Sequence, residues 1–137
     1  MEKRVGSRAI IFINNKILTM FRRKNGNEYY VTPGGGREGN ETLEENVIRE
    51  LKEEFNVDIK ILGYLGVEEN DTSINHFFHC EIINGKPHLG GEELEKNSKD
   101  NYYEIREIPI EELDNTDIKG AKEKIKKALK CEYEKNI

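Results

Sequence analysis

The chain has 137 residues, a formal net charge of −5, 36% charged side chains and 35% hydrophobic ones. That length suits a single domain, residues 1–137, able to bury a core without metal or disulfide staples. The acidic balance argues against nucleic acid or a membrane surface as partner, and no apolar run approaches a transmembrane length.

Ala9 to Ile13 is apolar on both faces, as in a strand covered on both sides. Asn14-Asn15 suits a tight hairpin turn, with Ile17 to Phe21 as the returning strand. Arg22-Arg23-Lys24 ends that strand before a loop at Asn25-Gly26-Asn27. Arg22 and Arg23 would hold a phosphate or a base edge, or else form a solvated strand end. Tyr29-Tyr30-Val31 is a short strand, and its tyrosines either pack in the core or stack on a nucleobase. Arg22, Arg23 and Tyr30 are therefore the candidate substrate-binding residues.

Gly34-Gly35-Gly36 permits positive φ or a close approach to the backbone, and Gly39-Asn40 is a second turn pair. Thr42-Leu43-Glu44-Glu45 fits a capping box, so a helix is expected from Leu43. Leu43, Val47, Ile48, Leu51 and Phe55 form its apolar stripe, and Asn56 suits a left-handed helix exit. Glu50, Glu53 and Glu54 crowd the last turns, where negative charge opposes the helix dipole. Like charges at that spacing also repel by a few tenths of a kcal/mol per pair. A divalent cation would offset both costs, and hard cations such as Mg²⁺ or Mn²⁺ prefer oxygen ligands. The bland alternative is a solvated face on which Arg49 and Lys52 pair locally.

Asp58 to Glu68 and Ile74 to Ile83 read as two strands around a turn at Asn70-Asp71. In the second, Ile74, His76, Phe78, Cys80 and Ile82 share a face, which makes His76 a core histidine rather than a ligand. His79 and Cys80 point to opposite faces and cannot jointly hold zinc. A long irregular segment runs from Gly85 to about Asn101. Tyr102 to Ile108 is a last strand, followed by a short turn at Pro-Ile-Glu-Glu-Leu. A final helix follows from about Ile118, with Ala121, Ile125, Ala128 and Leu129 inward and its lysines outward. Cys80 and Cys131 have no metal or redox spacing, and the start MEKRVGSRAIIFI lacks a signal-peptide layout. Reduced thiols and a cytoplasmic location are the expectation.

The run from Gly35 through Glu41 to Arg49-Glu50-Leu51-Lys52-Glu53-Glu54-Phe55-Asn56-Val57 resembles the box of the Nudix hydrolases, GX5EX7REUXEEXGU, where U is bulky and aliphatic. Every specified position matches except the last glycine, which is Asn56 here. The resemblance implies an α/β fold, an α/β/α sandwich with a mixed sheet between helices. It implies Glu50, Glu53, Glu54 and the Gly35 carbonyl as ligands of Mg²⁺ (or Mn²⁺), with Arg49 orienting Glu50 and Glu41 tying the loop to the helix. Family members often add an acidic residue from the later loop, and Glu93 is preferred here over Glu92 or Glu95. The catalytic set would be Arg49, Glu50 and Glu93, with the general base open between Glu50 and Glu93.

The implied activity is hydrolysis of a diphosphate linkage in a nucleoside diphosphate derivative. Two subfamily markers, a proline for ADP-ribose and a tyrosine for dinucleoside polyphosphates, are missing from Asp71 to Phe78. That favours a nucleoside triphosphate over ADP-ribose or a nucleotide sugar. A non-catalytic nucleotide sensor is the alternative from another class, and attack on RNA ends is disfavoured by the acidic charge. Relatives are often dimers, so a homodimer is open, although nothing here specifies an interface.

Overall fold

β1 (Arg4–Ile13) is the strand that pairs with three others. The computed structural model describes residues 2–90, 97–98 and 100–135. After β1 come β2 (Lys16–Lys24), β3 (Asn27–Val31), β4 (Gly34–Gly36), α1 (Leu43–Phe55), β5 (Asp58–Glu69), β6 (Ser73–Asn84) and β7 (Asn101–Pro109). A 3₁₀ turn (Ile110–Asn115) and a second helix, α2 (Lys122–Lys135), complete the chain's described elements.

The two hairpins at the start follow from asparagine and glycine. Asn14 and Asn15 hold φ of 48° and 62°, and Asn25 and Gly26 hold 51° and 83°. Two successive residues with positive φ match the twist of the flanking strands, so both turns return the chain at once. β2 therefore lies against β3 on one edge and along its whole length against β7 on the other.

β1 joins β2 only at Phe12↔Ile17 and Ile13↔Lys16. Toward its start it pairs with β4 at Gly6 to Arg8, while its other edge runs parallel to β6 from Arg4 to Ile11. β5 closes the far edge by pairing antiparallel with β6. The mixed sheet thus parts between β1 and β2, and a notch opens beside β3 and β4.

Helices cover both faces of this sheet. Val47, Leu51 and Phe55 of α1 pack on Ala9, Ile11, Leu18 and Met20. Ala121, Ile125 and Ala128 pack on Ile10, Ile17 and Phe77 from the other side. This is the expected α/β/α sandwich, and it explains why β1 is apolar on both faces. No helix among the described residues is long and apolar enough to cross a membrane.

Several local expectations need correction. Ile48 lies at the rim of the α1 stripe and is 42% exposed, whereas Asn46 is fully buried in its place. His76 is only half-buried and meets the Tyr64 hydroxyl at 2.8 Å; the buried histidine is His79, 2.8 Å from Glu132 of α2. α2 begins at Lys122, not Ile118, because Gly120 holds φ 63°, outside the helical region. Nor are all its lysines outward. Lys124 is buried and donates to Glu68 at 3.1 Å, and Lys127 donates to the Leu65 carbonyl at 3.2 Å.

Asn56 sits in the left-handed region (φ 56°, ψ 38°), as a helix exit requires. Its amide also donates to the His88 carbonyl at 3.0 Å, a contact glycine would lack. The backbone N–H groups of His88 and Gly90 donate to the Phe55 and Glu54 carbonyls, each at 3.1 Å. The start of the long irregular segment thus closes the carbonyl end of α1.

Candidate active site

The turn before α1 is glycine because the surrounding atoms leave no room for a side chain. A Cβ on Gly34, where φ is 150°, would lie 2.1 Å from the Ser7 carbonyl oxygen. One on Gly35 would lie 2.6 Å from the Glu50 carboxyl carbon, and one on Gly6 would lie 2.6 Å from the Gly35 carbonyl oxygen. Thr42 and Glu45 complete the expected capping box, so α1 starts at a fixed angle to this turn. Asn46 reaches back with its amide to the Gly35 and Gly36 carbonyls at 3.3 and 3.2 Å. Turn and helix are one unit.

Arg49 locks that unit. Its Nε and Nη2 fork donates to both Glu41 oxygens at 3.0 and 2.7 Å, and Nη2 also reaches the Gly36 carbonyl at 3.0 Å. Its Nη1 donates to Glu50 at 3.0 Å and to Glu53 at 3.1 Å. The Glu41 side chain is only 15% exposed and takes a further hydrogen bond from the Glu38 N–H at 2.8 Å. Chiefly through the Arg49 hydrogen bonds, Glu41 is held below the usual carboxylate range, and Arg49 is held more firmly charged.

Glu50 and Glu54 line a cleft of about 250 Å³ in the notch between β1 and β2. Glu53, with its side chain 56% exposed, is turned instead toward Arg49. Among the described residues no three acidic, histidine or cysteine side chains form a ready metal cage. The donor set is carboxylate and carbonyl oxygen beside a glycine backbone. It fits a hard cation that keeps waters and shares phosphate oxygens, as Mg²⁺ does. Glu92, Glu93 and Glu95 lie outside the described residues.

Of the candidate substrate residues, Arg22 enters this cleft and the other two do not. Side chains alternate along a strand, so Arg23 points the opposite way and pairs with Glu28 at 2.9 Å. Tyr30 is on that far face too, packed on Phe21 with its hydroxyl accepting from Arg106 at 2.9 Å. Tyr29 is the tyrosine in the cleft, with Tyr103 across from it. Arg4 and Arg8 also line it. Their signal in the sequence was the alternation Arg4-x-Gly6-x-Arg8 on one strand face. Asn46 could have been found as a polar residue at i+3 from Leu43, inside the apolar stripe. A larger cavity of about 480 Å³, bordered by Phe12, Ile110, Leu129 and Tyr133, contains none of these residues.

The Gly35 contact yields a test. The group in the way is the end of a side chain, so Gly35→Ala is expected to push the Glu50 carboxylate aside while the fold survives. Turnover should fall at least tenfold with a melting temperature within a few degrees of wild type. Unchanged turnover would show that the seat of Glu50 against Gly35 is unimportant.

A family profile described as NUDIX domain matches residues 3–129. A Methanocaldococcus jannaschii protein named ADP-ribose pyrophosphatase is 31% identical over 108 residues, 74% of this chain and 62% of that one. The chain therefore spans about 62% of that relative's length. Among solved structures, a NUDIX family hydrolase from Clostridium perfringens superposes with a TM-score of 0.72 at 17% identity, covering 96% of this chain and 99% of that one. A MutT NUDIX hydrolase from Burkholderia pseudomallei gives 0.70 at 21% identity, with 95% and 98% covered. An ADP-ribose pyrophosphatase from Streptococcus suis gives 0.67 at 19% identity, with 96% and 92% covered. At such identities these structures speak to the fold.

Proposed function

Because the chain belongs to the Nudix family, we propose that it hydrolyses a diphosphate linkage in a nucleoside diphosphate derivative, with Mg²⁺ or Mn²⁺ as cofactor. The observation that carries this reading is the intact carboxylate set at the end of α1, of which Arg49 holds Glu50 and Glu53 while also donating to the glycine turn. The metal, held by Glu50, Glu53, Glu54 and the Gly35 carbonyl, would neutralise phosphate charge and lower the pKa of a bound water. Arg49 holds the Glu50 carboxylate at the cleft wall. From there Glu50 takes the proton of the attacking water, a role worth roughly 10²–10⁴-fold. Glu93 is the other candidate for that base. Arg22 stands on the facing wall with its guanidinium over the Tyr103 ring, and Tyr29 lines the same cleft, where it would border a base.

A nucleoside triphosphate is the first substrate to try, and ADP-ribose is the second reading. The name of the Methanocaldococcus jannaschii relative favours the latter. A purely sensory domain would have no need of the whole carboxylate set. The deciding experiment incubates the protein with Mg²⁺ and a panel of nucleoside triphosphates, ADP-ribose and nucleotide sugars, and identifies the products. Release of a nucleoside monophosphate from at least one of them supports the proposal. Intact nucleotides throughout would reduce the protein to a binding module.

A further inference from the structure

Three arginines in the cleft have no carboxylate partner among the described residues. Arg23, Arg49 and Arg106 each rest against a glutamate. Arg4, Arg8 and Arg22 form no ion pair among the described residues, yet all three border the cleft that Glu50 and Glu54 line. Arg4 lies over the glycine turn, where a Cβ on Gly36 would meet its Nε at 2.5 Å. Arg8 donates to the Thr32 carbonyl at 2.7 Å; burial lowers its pKa, and the charges of Glu54 and Glu50 oppose that loss.

Arg22 is the most firmly built of the three. Its guanidinium lies over the Tyr103 ring at 3.7 Å and donates to Asn101 at 2.8 Å. Its Nε–H is shielded from water and has no acceptor, so the group remains one hydrogen bond short. Held by Tyr103 and Asn101, the guanidinium can meet an oxyanion only through its terminal N–H groups, and it does so with little side-chain entropy left to lose.

Three guanidinium charges face two carboxylates, and a bound divalent cation would leave the cleft more positive still. A diphosphate esterified at both ends carries one charge per phosphate. An unesterified terminal phosphate brings a total of about two of its own. We propose that Arg4, Arg8 and Arg22 form a second anion subsite that holds a phosphate beyond the linkage being cleaved. They would thereby favour nucleotides with a free terminal phosphate over those capped by a sugar. This rests on the hydrolytic reading for its consequence in turnover, but not for the binding itself.

The test therefore has a metal-free arm. In EDTA, inorganic tripolyphosphate titrated by calorimetry should bind the wild-type protein, and about tenfold more weakly to Arg22→Gln and to Arg4→Gln. With Mg²⁺, each variant should lower the ratio of kcat/KM for a nucleoside triphosphate over that for ADP-ribose by about tenfold, mainly through KM for the triphosphate. Arg4 lies at the start of β1, so its replacement guards against misfolding as the cause. Tripolyphosphate that binds both variants as it binds wild type, or an unaltered substrate ratio, overturns the subsite. Arginine-dependent binding without hydrolysis of any nucleotide supports the subsite and overturns the hydrolytic reading instead.

Discussion

Glu54→Gln is expected to lower turnover by two orders of magnitude or more while leaving the fold intact. The carboxylate lies in the last turn of α1, where its charge opposes the helix dipole and meets Glu50 one turn back. In the metal-free protein that charge is opposed by the helix dipole and favoured by Arg8, so a neutral isostere should leave stability close to wild type. In turnover the effect is large. The lost oxygen charge is one of few that face the cleft, and in the proposed reaction weakening a divalent ion's hold would remove several kcal/mol of charge stabilisation from the reacting phosphate. Steady-state rates with Mg²⁺, set beside thermal melts in EDTA, check both halves. Near-wild-type turnover would remove Glu54 from the metal set, and a collapsed fold would give it a structural role.

Arg49→Ala should do the reverse and damage stability and activity together. Arg49 satisfies both oxygens of a Glu41 side chain that is 15% exposed, and it also holds Glu50 and the Gly36 carbonyl. Removing it strands two largely buried carboxylates, which is expected to cost about 3 kcal/mol in urea denaturation. Lysine should restore only part of this, since one ammonium cannot make the paired contacts to Glu41.

The loss should also depend on pH. The folded pKa of Glu41 lies below its unfolded value, so the stability it contributes is full above the ordinary carboxylate range. That contribution disappears as pH falls through the depressed value. The gap between wild type and Arg49→Ala should therefore be widest near neutrality and narrow in acid. A gap independent of pH would mean that packing of the arginine stem, and not the ion pair, supplies the stability.

Local signals in the sequence were read well where one residue type has one physical use. Asn14-Asn15 placed the first hairpin, Thr42 with Glu45 placed the start of α1, and Asn56 placed its end, whereas the turn at Asn25-Gly26 is legible only as a loop. The box between Gly35 and Val57 placed the carboxylates on one helix. Longer-range facts were not legible. Whether Arg22 or Arg23 enters the cleft depends on the register of β2 against β3 and β7, and a shift of one residue would exchange them. Tyr29 and Tyr30 are decided the same way. The anion-facing role of Arg4 and Arg8 needs β1 to lie beside β4, a pairing between segments with no shared pattern. Hydropathy assigns a buried asparagine such as Asn46 to the surface, because the carbonyls it serves are in place only in the fold.

Everything proposed for the reaction depends on a doubly charged cation at the end of α1. Calorimetric titration of Mn²⁺ into the protein, alone and with a non-hydrolysable nucleotide, measures that dependence most directly. Uptake that strengthens with nucleotide and is lost in Glu54→Gln is the expected result. No uptake under either condition would contradict the account.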